Sequence, residues 1–454
     1  MSASGSSLYE ILILESNDKQ RTVDLKLGAV SIDYYEDIFS PTITAKIRVI
    51  NTGDSIEGEK SGKLQSIYNG LPLRGGERVR MKVLDRGDEK KGLDFASTPS
   101  KYLYVSSITE VISESQTESF LLNLVSREAI TNETTRVARK YTGTIDQSVS
   151  KILKDVLQTT KFDKEKNIEK SQNKYPFIGN SKKPFTTLVW LASKAVPVKV
   201  PQLNSKSSGD VTAGFVFYQT KDGFKFKSID GLMKQEPKNK NTPYYYTEVN
   251  VNETETNNDF KILNYFTDKN QNLIEKLRVG AYSSETIFFN PLTGEVTPPE
   301  KRKFQFKKYQ NEIENLGSKG KISLPKMNEN SNESLGDAPT RIITGVLSIG
   351  TADSSVSKEL NYDPGTYQAQ SIMRYNLLLT QSISMMVACN TNLSAGDVID
   401  CRFPKISSED ENEIDTEASG SYIIKELCHH FEPNSSYTSL KLVRDNFGIK
   451  KIDK

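Results

Sequence analysis

Histidine is almost absent from this chain of 454 residues. His429 and His430 are the only two, and a Ser-His-Asp or Cys-His hydrolase would have to recruit one of them. No Gly-x-Ser-x-Gly elbow supports that chemistry. No Gly-x-x-x-x-Gly-Lys-Ser/Thr run is present either, which removes the phosphate cradle of a P-loop ATPase. There are three cysteines, Cys389, Cys401 and Cys428; they cannot all pair and they sit in apolar or alternating segments, so reduced core thiols are expected. The longest apolar stretches, such as Ile11–Leu14 and Ile383–Cys389, fall far short of the roughly 20 residues that cross a bilayer. No stable membrane insertion is expected. Residues 1–7 lack the basic start and apolar run of a secretory signal, consistent with synthesis in a cytoplasm. Sixty basic side chains against 58 acidic ones give a net charge of +2, too small to draw the chain to DNA by its overall field.

What is present is β-sheet pattern. Ile43, Ala45, Ile47 and Val49 share one face of an alternating run. Val23, Leu25 and Leu27, then Val79, Met81 and Val83, then Phe120, Leu122 and Leu124 repeat the two-residue period of half-buried strands. Glycine and asparagine turn clusters separate them, as in an antiparallel barrel or sandwich, and residues 1–127 are expected to form a first β-barrel. The period changes after Arg127. Val149, Ile152, Leu153, Val156 and Leu157 make a helical stripe over 145–157, and Thr186–Val196 is a second expected helix, with Pro184 before it and Pro197 after it. Phe215, Phe217, Phe224 and Phe226 flank a hairpin turning through Lys221-Asp222-Gly223. Residues 128–261 are therefore expected to be a mixed α/β domain. Residues 262–310 and 372–454 are assigned to a second barrel, interrupted by a polar surface excursion over 311–371. The fold class expected is mainly β with an α/β insertion, two antiparallel barrels flanking a mixed domain.

Local clusters have plain explanations. Cys428, His429 and His430 are adjacent on a strand and must point to alternate faces, so they do not converge on one metal. No metal or cofactor is expected. Lys301, Arg302, Lys303, Lys307 and Lys308 interleave with Phe304 and Phe306, and alternation on one strand of the second barrel accounts for that better than a nucleic-acid strip. Glu409, Asp410, Glu411, Glu413, Asp415 and Glu417 crowd nine residues between two strands, which reads as a solvated tip and the candidate interface or channel loop. No residue is proposed as catalytic.

The order Leu393-Ser-Ala-Gly-Asp397…Phe403-Pro404, acidic loop, Ser421–Leu427, Tyr437–Asp445 resembles the tube domain of baseplate hub proteins of contractile-tailed phages. Lys183–Ala195 followed by Phe215–Ile229 is similar to the helix and hairpin between the two tube domains of such hubs, and Leu277–Gly294 resembles the start of their second barrel. The resemblance implies a homotrimer that adapts a trimeric central spike to a hexameric tail tube, with baseplate wedge proteins as neighbours. DNA would pass through without specific binding, in a virion tail assembled in the host bacterial cytoplasm. The related hubs of contractile secretion systems are the alternative, and usually fuse hub and spike; a chain that stops at Lys454, soon after its last barrel strand, favours a phage hub with a separate spike. A tail-tip enzyme that degrades cell wall is the further alternative, since glycosidase carboxylates leave no spacing signature.

Overall fold

The computed structural model describes residues 6–53, 55–57, 62–71, 73–85, 88–198, 212–246, 258–291, 293–309, 313–318, 324–347, 364–405 and 414–449. Its main feature is one continuous 14-stranded sheet rolled into two units. In the first unit the strands follow the order Thr22–Asp24, Ser7–Glu15, Arg78–Asp85, Leu103–Ser113, Thr117–Ser126, Thr44–Thr52, Ala29–Asp37, with Asp88–Phe95 paired antiparallel to Arg78–Asp85 off this path. All of these ladders are antiparallel. The alternation read from the sequence is realised in burial. Ile43, Ala45, Ile47, Val49, Val79, Met81, Val83, Phe120, Leu122 and Leu124 are all buried. Leu27 departs from it and is fully exposed, because the strand stops at Asp24 and Leu27 falls in the turn that leads into strand 29–37.

The second unit is a closed barrel of six strands: Gly420–Phe431, Val398–Arg402, Tyr244–Tyr246, Lys261–Asn270, Gln381–Ala388 and Ser436–Arg444, the last pairing back to the first. The mainly β class with its α/β insertion holds, with one departure from purely antiparallel barrels. Tyr244–Tyr246 pairs in parallel with both 261–262 and 401–402. This short strand lies in the polar stretch read as the end of the mixed domain; Tyr244 is buried and gives the segment its anchor.

The first unit is not closed by its own ladders among the described residues. Strand 29–37 instead pairs antiparallel with 420–431, from Ile32 opposite Phe431 to Asp37 opposite Glu426. One apolar cluster consequently runs through both units, from Leu12 and Ile47 to Leu427 and Leu442.

The mixed segment between them has its own core. The expected helix is present over Ile145–Lys151 and continues as a π-helical turn over Ile152–Val156; Val149, Ile152, Leu153 and Leu157 are buried. The second helix is Pro184–Ala192, with the proline inside its first turn, where a missing N–H costs nothing. Strands Phe215–Thr220 and Gly223–Ser228 form the hairpin, turning through Lys221-Asp222. Phe215 stacks on Phe226 at 4.7 Å and Phe217 on Phe224 at 5.6 Å. Gly223 has φ +113°, and a Cβ there would lie 2.1 Å from the Lys161 carbonyl that accepts the Phe224 N–H.

Two assignments to the second barrel are corrected. Ser283–Phe289, Lys303–Gln305 and Arg341–Val346 form a separate three-stranded sheet, so Phe304 is buried off the barrel and Phe306 begins a 3-10 turn. Residues 364–378, split by the sequence reading between a surface excursion and a barrel strand, form one helix. Ala369, Met373 and Leu377 recur every four residues and are buried against Tyr282, Phe304 and Phe306, so the helical period was present in a polar surrounding. Arg374 on this helix is wholly buried. Its guanidinium meets Asp230, approaches Asp445 at 3.5 Å and donates to the Glu314 carbonyl at 3.1 Å, tying three separate segments to one charge.

Leu440 and Leu442 face the barrel interior, at 1% and 0% exposure. Leu442→Ala is expected to lower unfolding stability by about 2 to 5 kcal/mol through lost burial and a residual cavity, measured by urea denaturation. Stability within about 0.5 kcal/mol of the parent would contradict the inward placement.

Candidate assembly surfaces

The acidic loop leaves the barrel between strands 398–402 and 420–431. Glu409, Asp410, Glu411 and Glu413 lie outside the described residues. Asp415 and Glu417 lie in the returning leg, where they do different work from a solvated tip. The Asp415 N–H donates to the Phe403 carbonyl at 2.9 Å, and its carboxylate accepts the N–H groups of Glu417 and Ala418 at 2.8 and 3.0 Å. Asp415 thus organises a turn, while the Glu417 side chain is exposed.

Arg444 fixes that turn from beneath. Its guanidinium lies 4.4 Å from the Tyr422 ring centre and donates to the carbonyls of Ser419 at 3.0 Å, Gly448 at 3.3 Å and Glu417. Its Nε donates to the Gln381 side-chain oxygen at 2.5 Å, and the Tyr422 hydroxyl shares that acceptor at 3.0 Å. The returning leg is therefore seated on a buried, charge-assisted base. The sequence reading missed this arginine because it ends a strand of alternating pattern and its partners are mostly backbone carbonyls. Beside this base runs a groove of about 750 Å³ lined by Met233, Pro237, Leu316, Cys401, Ile414 and Ile449 among others.

The Gly396-Asp397 pair is a turn, as read from the sequence. Gly396 has φ +87°, and a Cβ would sit 2.2 Å from the Tyr218 hydroxyl of the hairpin. Asp397 accepts the Ser394 N–H at 2.9 Å, and burial raises its pKa. Close by, buried Glu36 accepts from Lys221 N–H at 2.6 Å, Tyr34 hydroxyl at 2.7 Å and Ala395 N–H at 2.8 Å. One carboxylate so joins the first unit, the hairpin and the second unit, with burial raising its pKa against these three bonds.

The two histidines occupy opposite faces of strand 420–431. His429 is fully buried, stacked at 6.1 Å on Tyr34 and 2.9 Å from the Thr438 hydroxyl. Burial, with Lys221 adding to it, pushes its pKa down to about 3. His430 lies across the ladder from Asp33, 2.5 Å from its carboxylate and 3.0 Å from that of Glu432. The Asp33 bond leads the causes that raise its pKa. Cys428 is half-buried on the same side as His430. The three do not converge, and among the described residues no group of His, Cys, Asp and Glu is placed to hold a metal ion. No helix among them is long and apolar enough to cross a membrane.

His429 gives a pH dependence of known sign. The unfolded chain takes up a proton near the ordinary histidine pKa of 6.5, while the folded chain resists until about pH 3. Its contribution to stability is therefore complete above 6.5 and is lost as pH falls towards 3. Between pH 6.5 and 5 the parent is expected to lose about 2 kcal/mol more than His429→Gln in urea unfolding. Equal losses would show that His429 is not the group that titrates.

No family model matches the chain. Among curated proteins it is 24% identical over 316 residues to the probable baseplate hub protein gp334 of Vibrio phage KVP40, an alignment that covers 66% of each chain, just under two thirds of that relative's length. Solved structures are similar in outline at lower scores. The 43 kDa tail protein of prophage MuSo2 from Shewanella oneidensis is 8% identical, with 96% of this chain and 98% of that one covered at a TM-score of 0.49. The E. coli c3393 protein, a component of the type VI secretion system, is 10% identical, with 96% and 77% covered at 0.40. The chain is related to a phage baseplate hub protein, in agreement with the resemblance carried by its barrel, helix and hairpin segments.

Proposed function

We propose that the chain is a structural hub subunit of a phage tail baseplate. Three copies close a ring whose six β units match a hexameric tail tube on one side, while the ring's three-fold symmetry seats a trimeric spike on the other. The observation that carries this reading is the coupling of two β units through the ladder between 29–37 and 420–431, together with the relationship to a baseplate hub. A symmetry adaptor needs two tube-like units held in fixed relation, and a shared ladder over a shared core provides that stiffness. Passage of DNA through the ring, wedge-protein contacts and location in the virion tail follow from the same reading.

The side-chain chemistry supports a structural role over cell-wall hydrolysis. His429 is enclosed and His430 is held by two carboxylates. The buried acids Asp230 and Asp445 are committed to Arg374. Release of muropeptides from peptidoglycan by the purified chain would overturn this and point to an enzyme.

Light scattering with low-resolution imaging tests the ring: a closed trimer is expected, alone or once spike or tube is added. Monomer under every one of these conditions would refute it. In the same preparation, replacing Glu409, Asp410, Glu411 and Glu413 with Ser is expected to change unfolding stability by less than about 0.5 kcal/mol per site. Association should nevertheless lose salt dependence. Unfolding without any change in association would place these carboxylates in a buried network.

A further inference from the structure

The mixed segment is a basic part of a nearly neutral chain. Residues 127–198 contain fourteen Lys and Arg against seven Asp and Glu, whereas the whole chain carries +2. Part of that charge is built onto the only tryptophan. Trp190 is half-buried on helix 184–192 and meets Tyr175 and Phe177 edge-on, each at 5.5 Å between ring centres. The Lys182 ammonium sits 5.5 Å from the Trp190 ring centre. The Lys194 ammonium sits 5.3 Å from the same centre and 5.4 Å from that of Tyr175.

Among the described residues neither ammonium is paired with a carboxylate, although Lys183 next in sequence pairs with Glu133. Desolvation lowers the pKa of Lys194, as for a cation that lacks a counter-ion. Ring contacts hold both heads in place, so an anionic partner would not have to order them. Ile178 and Val189 are exposed on the same segment, at 57% and 46%. The surface thus offers two fixed cations on an aromatic plate with an apolar border, which suits a carboxylate-rich peptide.

The chain supplies such a peptide in the six acids of 409–417. The returning leg of that loop finds its partners on Phe403, Tyr422, Arg444 and Gly448, in the second barrel and just beyond it. The Trp190 plate belongs to the separate core of the mixed segment. A ring of identical copies is closed by heterologous contacts, which require two different, complementary surfaces present once per chain. An acidic loop anchored at one place and an unneutralised basic plate at another meet that requirement.

We propose that the Lys182–Trp190–Lys194 face receives the acidic loop 409–417 of a neighbouring copy of this chain. The proposal rests on the ring reading above and names one of its contacts. The test uses full-length chain prepared in isotopically heavy and light forms, mixed at a concentration where oligomer is present and treated with a zero-length carbodiimide. Cross-linked peptides joining Lys182 or Lys194 to Glu409–Glu413 and carrying one heavy and one light half are expected. Emission of Trp190, selected at the red edge of absorption, should shift on assembly.

Lys182→Glu with Lys194→Glu should weaken association on the order of tenfold, as should Glu409→Lys with Glu411→Lys, and an equimolar mixture of the two variants should recover most of it. Unchanged melting temperatures separate these effects from misfolding. Same-label links alone would place the contact within one chain and overturn the proposal. Oligomer without these links would overturn it while leaving the ring intact. Absence of oligomer even with spike or tube present would remove both. Loss of retained double-stranded DNA in the lysine variant with association unchanged would show that the plate serves nucleic acid instead.

Discussion

The architecture depends on how one edge of strand 420–431 is shared. Residues 420–423 pair with 398–401 and close the second barrel, whereas residues 426–431 pair along the same edge with 32–37 of the first unit. At the hand-over the Ile424 N–H and carbonyl are taken by Asp397 and Gly396, and the Lys425 carbonyl accepts the Ile38 N–H at 3.0 Å. Three backbone groups at the fork are thus bonded although the partner strand changes. The opposite edge pairs with 436–443 from Ile423 to Phe431 and absorbs the change in a bulge between Ile424 and Glu426. Hydrogen bonds kept at the hand-over lower the cost of the change of partner, and the shared strand joins the two units in one sheet.

Charged side chains line the ladder at that fork. Glu36, at the first unit's end of the ladder, gathers N–H groups from the hairpin turn and from the segment before Gly396. Asp33 meets His430 on the outer face of the same ladder. Arg374, on helix 364–378, meets Asp230 and Asp445, and Arg444 lies beneath the returning leg of the acidic loop. Burying a carboxylate or guanidinium carries a large desolvation cost that only several well-placed partners offset. Such groups stabilise little net, but they penalise any arrangement in which the partners are displaced. Relative placement of units is what the proposed adaptor role would require.

Much of this was legible in the sequence because alternation reports burial directly. Ile43 to Val49 and Leu440 to Leu442 face the core as their period requires, and the Lys221-Asp222 turn lies where the phenylalanines place it. Leu27 failed because alternation persisted past the end of a strand. Tyr244–Tyr246 was hidden because a strand of three residues carries too little pattern, and parallel pairing leaves no hairpin turn to mark it. Helix 364–378 was missed because its stripe of Ala369, Met373 and Leu377 is thin and its fully buried Arg374 reads as a surface residue. The fork was inaccessible in principle: a sequence shows which residues point inward, but not which neighbour occupies each edge.

The acidic loop was recognised by composition, and its meaning changes once its base is seen. A run of carboxylates on a flexible tether would lose entropy on docking and contribute little. Here the returning leg is fixed by the Asp415 turn and by Arg444, which is itself held by Tyr422 and Gln381. The returning leg, from Asp415 to Ser419, therefore meets the barrel at a defined point. The groove beside the base, with Leu316, Ile414 and Ile449 in its lining, supplies apolar surface at the foot of that charge. Charge next to apolar surface directs encounter and then holds contact, the combination that the proposed ring contact calls for.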